Sequence, residues 1–189
     1  MNESTTRRVA RFAAAIATCL AIALVAGTAA AESAAELDRE ATAALGRLYA
    51  HSPAAKKLGE KAEGILIFPQ VGKAGFIFAG EFGVGSLRKG GSTAGYYNIA
   101  EVSAGYQAGV EKFSYALFFM TEKALAYLDK SDGFELGSGP SLVVVDKGFA
   151  SSMTTTTARN DVYAFVFGEK GLMGGVGLKG SKITRYHPK

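Results

Sequence analysis

The feature that most constrains the fold is a change of hydrophobic period at Gly64. Between Ala34 and Ala62, apolar side chains recur every three or four positions, which is the spacing of an amphipathic helix. After Gly64, short apolar runs alternate with other residues at spacing two and are interrupted by glycines. The sequence therefore predicts an α+β fold, with N-terminal helices followed by a sheet.

Two helices are expected before the change of period. Ser33 and Glu36 form a capping box, and the apolar spacing that follows predicts a helix from Ala34 to Tyr49. Ser52-Pro53 ends that helix and begins another, which is predicted to extend to Ala62.

The rest of the chain is expected to form strands with one inserted helix. A first strand is predicted at 65–68 and is expected to end at Pro69, since proline cannot donate to a ladder. Lys89-Gly90-Gly91-Ser92 is a hairpin signal, and Thr121 can cap a short helix over 122–128. The remaining strands are expected at 76–84, 96–99, 102–110, 113–119, 142–145, 162–167 and within 172–183.

Glycine is unusually frequent in these strand-like runs. Twenty-three of the 24 glycines follow residue 31, and they form neither a collagen repeat nor a linker repeat. Glycine lets a strand bend or two backbones approach closely. We therefore expect a strongly curved, mostly antiparallel sheet or a closed barrel.

The N-terminal residues 1–31 have the pattern of a signal peptide. Arg7, Arg8 and Arg11 precede an apolar run from Phe12 to Val25, and the small residues ending at Ala31 supply a cleavage site. A retained anchor helix, twin-arginine export through Arg7-Arg8, and acylation of Cys19 are alternatives. We expect a cut after Ala31, one domain over 32–189, and a periplasmic or cell-envelope location.

Charge and cysteine content exclude several classes of protein. The formal charge is +4, of which the first 31 residues supply +2, so the predicted domain is nearly balanced and no nucleic acid partner is expected. Cys19 is the only cysteine, and its removal would exclude disulfides and thiolate chemistry from the domain.

Catalytic and metal-binding patterns are sparse, so we expect no enzyme, no cofactor and no metal. His51 is interpreted as a helix-end residue and His187 as part of the C-terminal tail. The carboxylates do not follow a calcium-loop spacing. A hydrolase using Ser141, Ser151 or the threonines at 154–157 is an alternative that lacks an evident base.

Cations at predicted turns are the candidate headgroup-binding residues. If the turns meet at one end of a curved sheet, they would form a surface for lipid phosphates. These candidates are Lys73, Arg88, Lys89, Lys179, Lys182 and Arg185. The alternative is that such side chains keep sheet edges soluble and unpaired.

Several blocks in order resemble the SYLF domain family, in its short bacterial branch, from about Leu45 to Arg185. The blocks are AEGILIFP (62–69), KAGF (73–76), GYYN (95–98), QAG (107–109), ALFFMT (116–121), SDGFE (131–135), GPS (139–141) and GEKGLM (168–173). The resemblance implies a lipid-binding module; eukaryotic members bind phosphoinositides, and fungal members with an SH3 domain bind actin filaments. This chain has no SH3 or FYVE segment, and the start of its first helix, with the residues just before it, carries Glu32, Glu36, Asp38 and Glu40, which does not suit a basic membrane-inserting helix.

These observations predict an exported protein that binds anionic phospholipid or a membrane surface. Basic turns would meet lipid phosphates, and Phe118, Phe119 and Met120 would contact acyl chains. The alternative is a structural or protein-interaction component of the envelope, which would use a sheet edge or the tyrosines Tyr96, Tyr97 and Tyr106.

Overall fold

A nine-stranded sheet with helices on both sides lies in the described part of residues 33–189, which form one compact unit. The computed structural model describes residues 33–75, 78–104, 109–129, 134–135, 139–152, 159–168, 170–173 and 181–188. The predicted signal peptide, its cleavage site and Cys19 lie outside these residues.

The two N-terminal helices form where their caps predict. Helix α1 spans Ala34–His51, and the Ser33 side chain accepts a hydrogen bond from the Glu36 backbone N–H at 3.2 Å. Helix α2 spans Pro53–Gly59, and its cap Ser52 accepts one from the Ala55 N–H at 3.2 Å. The prediction that α2 continues to Ala62 is wrong, because the chain passes through a turn and enters β1 at Gly64.

The strands and short helices alternate along the rest of the chain. The strands are β1 (Gly64–Gly75), β2 (Phe78–Lys89), β3 (Ser92–Ala104), β4 (Gly109–Phe119), β5 (Phe134–Glu135), β6 (Leu142–Val145), β7 (Val162–Gly168), β8 (Gly171–Leu172) and β9 (Lys182–Tyr186). The helices are α3 (Glu122–Tyr127) and α4 (Lys147–Ser152). Helix α3 confirms the helix predicted after Thr121, whereas α4 lies in a region where the sequence predicted only strands.

The sheet is open and largely antiparallel. Its order is β5-β9-β3-β2-β1-β4-β7-β6, and β8 pairs with β7 outside this path. The pair β6–β7 is parallel, and the others are antiparallel. In the described residues, no ladder joins β5 to β6, so the expected α+β sheet is confirmed in its open form and not as a closed one.

Strand β1 continues through Pro69, contrary to the prediction that it ends there. Its registers with β2 and β4 both shift at this point, between Ile67 and Gln70 on one side and between Phe68 and Val71 on the other. This β-bulge accommodates a residue that has no N–H to donate. The Pro69 carbonyl remains bonded, because the Ser114 hydroxyl donates to it at 2.7 Å.

Glycines shape two places in the first hairpin. Gly90 and Gly91 have φ of +57° and +83°, as the two central residues of a type I′ turn require. Gly85 allows close approach of β2 to β1, since a Cβ there would lie 2.4 Å from the Ile67 carbonyl oxygen.

The core has two layers, one on each face of the sheet. Ile65, Ile67 and Phe118 belong to the layer under α1 and α2, whereas Leu66 and Phe119 belong to the layer that contains α3. The alternation of neighbouring residues between layers explains why β1 and β4 are apolar on both faces. Within the described part of the chain, no helix combines the length and hydropathy needed to cross a membrane.

Candidate functional site: a cationic groove

Two adjoining cavities lie between the helices and the β7–β8 turn. The first, of about 660 Å³, is lined on its charged side by Arg47 and Lys112. The second, of about 510 Å³, is lined by His51 and Lys57. Both cavities are also lined by Lys147, Lys170, Gly171 and Leu172. We call the two cavities the first and second compartments, and together the cationic groove.

The basic side chains of the groove come from five separate segments. Helix α1 supplies Arg47 and His51, which are four residues apart and so lie on one helix face. The other four come from α2, β4, the first residue of α4 and the β7–β8 turn; they are Lys57, Lys112, Lys147 and Lys170.

The tight turn between β7 and β8 brings Lys170 to the boundary of the two compartments. Gly171 has φ of +106°, a left-handed conformation that favours glycine. The turn is secured by the pairing of Phe167 with Leu172 and by the bond from the Met173 N–H to the Val166 carbonyl at 2.8 Å.

The His51 ring helps to order the wall of the second compartment. Its Nδ1 lies 2.9 Å from the Arg47 carbonyl oxygen, and its Cδ2 lies 3.6 Å from the position that a Cβ on Gly171 would occupy. These contacts support the interpretation of His51 as a helix-end residue.

The floor of the groove is largely apolar. Pro69 and Phe113 line the first compartment, where the bulge of β1 meets β4, and Leu172 lines both compartments. Phe113 is 3% exposed and Leu172 is 9% exposed, so both side chains are held in the core. The groove therefore combines a fixed apolar floor with a charged rim.

The charge of the groove is of one sign in the described part of the chain. No aspartate or glutamate there lines either compartment. Nor does any described carboxylate form an ion pair with its four lysines or with Arg47. The carboxylate of Asp146, next to Lys147, accepts a bond from the Phe149 N–H at 2.7 Å. Such an arrangement attracts anions, because the charged residues that line it in the described part of the chain are all basic.

Of the basic residues predicted from the turns, Arg88 is bound to helix α1. Its Nη2 donates to the Asp38 carbonyl oxygen at 2.7 Å and to the Thr42 hydroxyl at 2.8 Å, and it lies 3.7 Å from the Asp38 carboxylate. The guanidinium therefore joins the first hairpin to the helix.

Arg185 is engaged on the opposite face of the sheet. Its Nη2 donates to Asp129 and, at 3.1 Å, to the Tyr97 hydroxyl, and the guanidinium lies 5.3 Å from the centre of the Tyr97 ring. Burial and the bond to Asp129 raise the pKa of Tyr97. The two predicted arginines thus belong to different structural clusters and do not form one anion-binding surface.

The other four predicted cations either are exposed or have side chains outside the described part of the chain. Lys89 is exposed at the hairpin, and Lys182 is exposed on β9, opposite Glu135. Lys73 lies in β1, but its side chain is outside the described part, and Lys179 is entirely outside it. A headgroup-binding role for these four lysines stays a prediction.

The predicted apolar contact with acyl chains does not fit the positions of Phe118 and Phe119. Both side chains have no exposed surface, and they lie in opposite core layers. Met120 is only partly buried and packs against the layer under α1 and α2. The first two residues stabilise the sheet, because alternation in β4 directs both of its faces into apolar layers.

Sequence reasoning missed the cationic groove because its residues are remote from one another in the chain. Lys147 and Lys170 lie beside elements that were predicted only as strands or glycine-rich turns. The available signal was in α2, which carries Lys56 and Lys57 and no acidic residue.

The fold and the groove together define an α+β domain with an open sheet and an anion-attracting surface. Residues 100–188 match the family model Ysc84, described as "Las17-binding protein actin regulator". This match confirms the resemblance to the SYLF (Ysc84) family that the sequence blocks indicated. The family is associated with lipid or actin-related binding. A comparison with curated proteins finds no match.

Proposed function

We propose that this chain is an exported, non-enzymatic module of a bacterial cell envelope, and that its cationic groove binds anionic phospholipid. The observation that carries the proposal is the cluster of Arg47 with four lysines around two cavities that no described carboxylate lines. The family's association with lipid binding and the signal-peptide pattern of residues 1–31 support it.

The expected affinity is set by charge and limited by salt. Each basic residue near an anionic membrane contributes about 1 kcal/mol. Five such residues would contribute about 5 kcal/mol at low ionic strength, and screening would reduce this as the Debye length falls.

A vesicle sedimentation experiment with the full chain tests the proposal. Binding to anionic and neutral vesicles is measured at low and high salt for the unmodified protein and for the double variant Lys147→Gln/Lys170→Gln. We expect anionic vesicles to be preferred and the double variant to lose about 10–30-fold in affinity, since two charges near the membrane are removed.

A matched control separates the groove from the turns. Lys89→Gln/Lys182→Gln removes the same charge from exposed residues outside the groove. All variants share residues 1–32, so any contribution of that segment cancels. A larger loss in the control would reassign binding to the turns, and no preference for anionic vesicles in the unmodified protein would refute lipid binding and favour an envelope protein partner.

A further inference from the structure

The groove is divided into two compartments, each of which has basic residues of its own. Arg47 and Lys112 line only the first compartment, and His51 and Lys57 line only the second. Lys147 and Lys170 line both. With volumes of about 660 and 510 Å³, each compartment is within the range of about 300–1,000 Å³ that is usual for ligand sites.

The wall shared by the compartments is partly neutral. Both compartments share Gly171 and Leu172 in addition to the two lysines, so neutral and cationic residues lie together at the boundary. Leu172 is 9% exposed and is therefore held in the core. A ligand that spans the boundary would meet cations in each compartment and an apolar side chain between them, which two anionic groups joined by an uncharged bridge would match.

Charge balance also favours two anionic groups over one. A phosphodiester carries a single negative charge, whereas the groove holds Arg47 and four lysines without a described carboxylate on its lining. One phosphodiester would leave most of the mutual repulsion between these cations in place. A second phosphate, in the other compartment, would reduce it further.

We infer that the groove is selective for a phospholipid whose headgroup carries two phosphodiester groups joined by a neutral glycerol bridge. This inference rests on the proposed function, and it specifies which class of anionic phospholipid the groove prefers. One phosphate would lie in each compartment, and the bridge would cross Gly171 and Leu172. Once the first phosphate is bound, the second binds at a high effective concentration.

The experiment compares diphosphatidylglycerol with phosphatidylglycerol in otherwise neutral vesicles. The two are used at equal phosphate content, so that the surface charge is matched, and binding of the full chain is measured by sedimentation at low salt. We expect about tenfold tighter binding to the two-phosphate lipid, from the effective concentration of the second group.

Single variants with a neighbouring control test whether both compartments are needed. Lys112→Gln and Lys57→Gln each change an exposed residue of one compartment, and Lys56→Gln changes an exposed neighbour on α2 that lines neither. The first two are expected to reduce the preference to twofold or less while binding to phosphatidylglycerol persists, and the third to preserve it. Thermal melts check that all three remain folded.

The outcomes separate this inference from the function on which it rests. Equal binding of the unmodified protein to both lipids would overturn the two-phosphate selectivity but leave anionic lipid binding intact. An equal loss of preference in Lys56→Gln and Lys57→Gln would also overturn it, because the effect would then be one of general charge. Failure to bind either lipid would refute the proposed function itself.

Discussion

Replacing Gly85 by alanine is expected to destabilise the domain by about 2–3 kcal/mol. The new Cβ would lie 2.4 Å from the Ile67 carbonyl oxygen and 2.6 Å from Cδ1 of Phe68. Ile67 and Phe68 are fully buried, and one of the two contacts is with the backbone, so no rotamer change relieves both. A contact of 2.4 Å with a backbone oxygen places the cost at the upper end of the range for overpacking, about 3 kcal/mol. The reduced entropy of the unfolded alanine chain offsets up to about 1 kcal/mol of this, which leaves about 2–3 kcal/mol.

Urea unfolding followed by circular dichroism measures this loss. A change of 2–3 kcal/mol corresponds to about 5–10 °C in Tm for a domain of this size. Gly80→Ala on the same strand is the matched control, because Gly80 is exposed and its Cβ would have no atom within 4 Å. Stabilities of the two variants within about 0.5 kcal/mol of each other would refute the close approach of β1 and β2.

Two further predictions concern polar contacts. Arg88→Gln should lower the free energy of unfolding by about 1–2 kcal/mol, because it removes charged hydrogen bonds to α1. Lys89→Gln, the control, should leave the free energy of unfolding unchanged. Equal effects of the two substitutions in thermal melts would contradict the role of Arg88. The Ser141 N–H and hydroxyl donate hydrogen bonds that lower the pKa of Asp161 below 3.8. The contribution of this carboxylate to the free energy of unfolding should therefore be complete at neutral pH, and it should be lost as pH falls through the pKa of Asp161 in the folded protein. The stability difference between the unmodified protein and Asp161→Asn, measured by urea unfolding, should therefore shrink from pH 7 to pH 3, and a constant difference would exclude this role.

Local features of the chain were predictable where neighbouring residues decide the structure. The cap at Ser33, the turn at Gly90-Gly91 and the helix after Thr121 each depend on side chains or dihedral angles within a few residues. These elements form as expected, because the capping bond and the positive φ values are satisfied without help from distant parts of the chain.

Features that depend on distant partners were not predictable. Pro69 remains inside a strand because both neighbouring strands shift their register around it. The alternation of residues along β2 also does not show which face of the strand is buried, because Phe82 is 57% exposed whereas Glu81 is 3% exposed. The tertiary structure decides both cases.

The same limit applies to the candidate site. The resemblance indicated the family, but it could not show that Arg88 bonds to α1 or that Arg185 bonds to Asp129 and Tyr97. Nor could spacing reveal that Arg47 and Lys170, which are distant in sequence, line one cavity. Charges at turns are visible in a sequence, whereas their partners are not.

Assembly of the groove from five separate segments links the stability of the fold to the anion that occupies it. In the unfolded chain these cations are dispersed, so an anion held by all of them binds the native state and stabilises it by mass action, by about 2.7 kcal/mol at 100 times Kd. In the free protein the same cations repel one another and oppose the packing that brings them together. The groove is thus a local source of instability that its own ligand relieves.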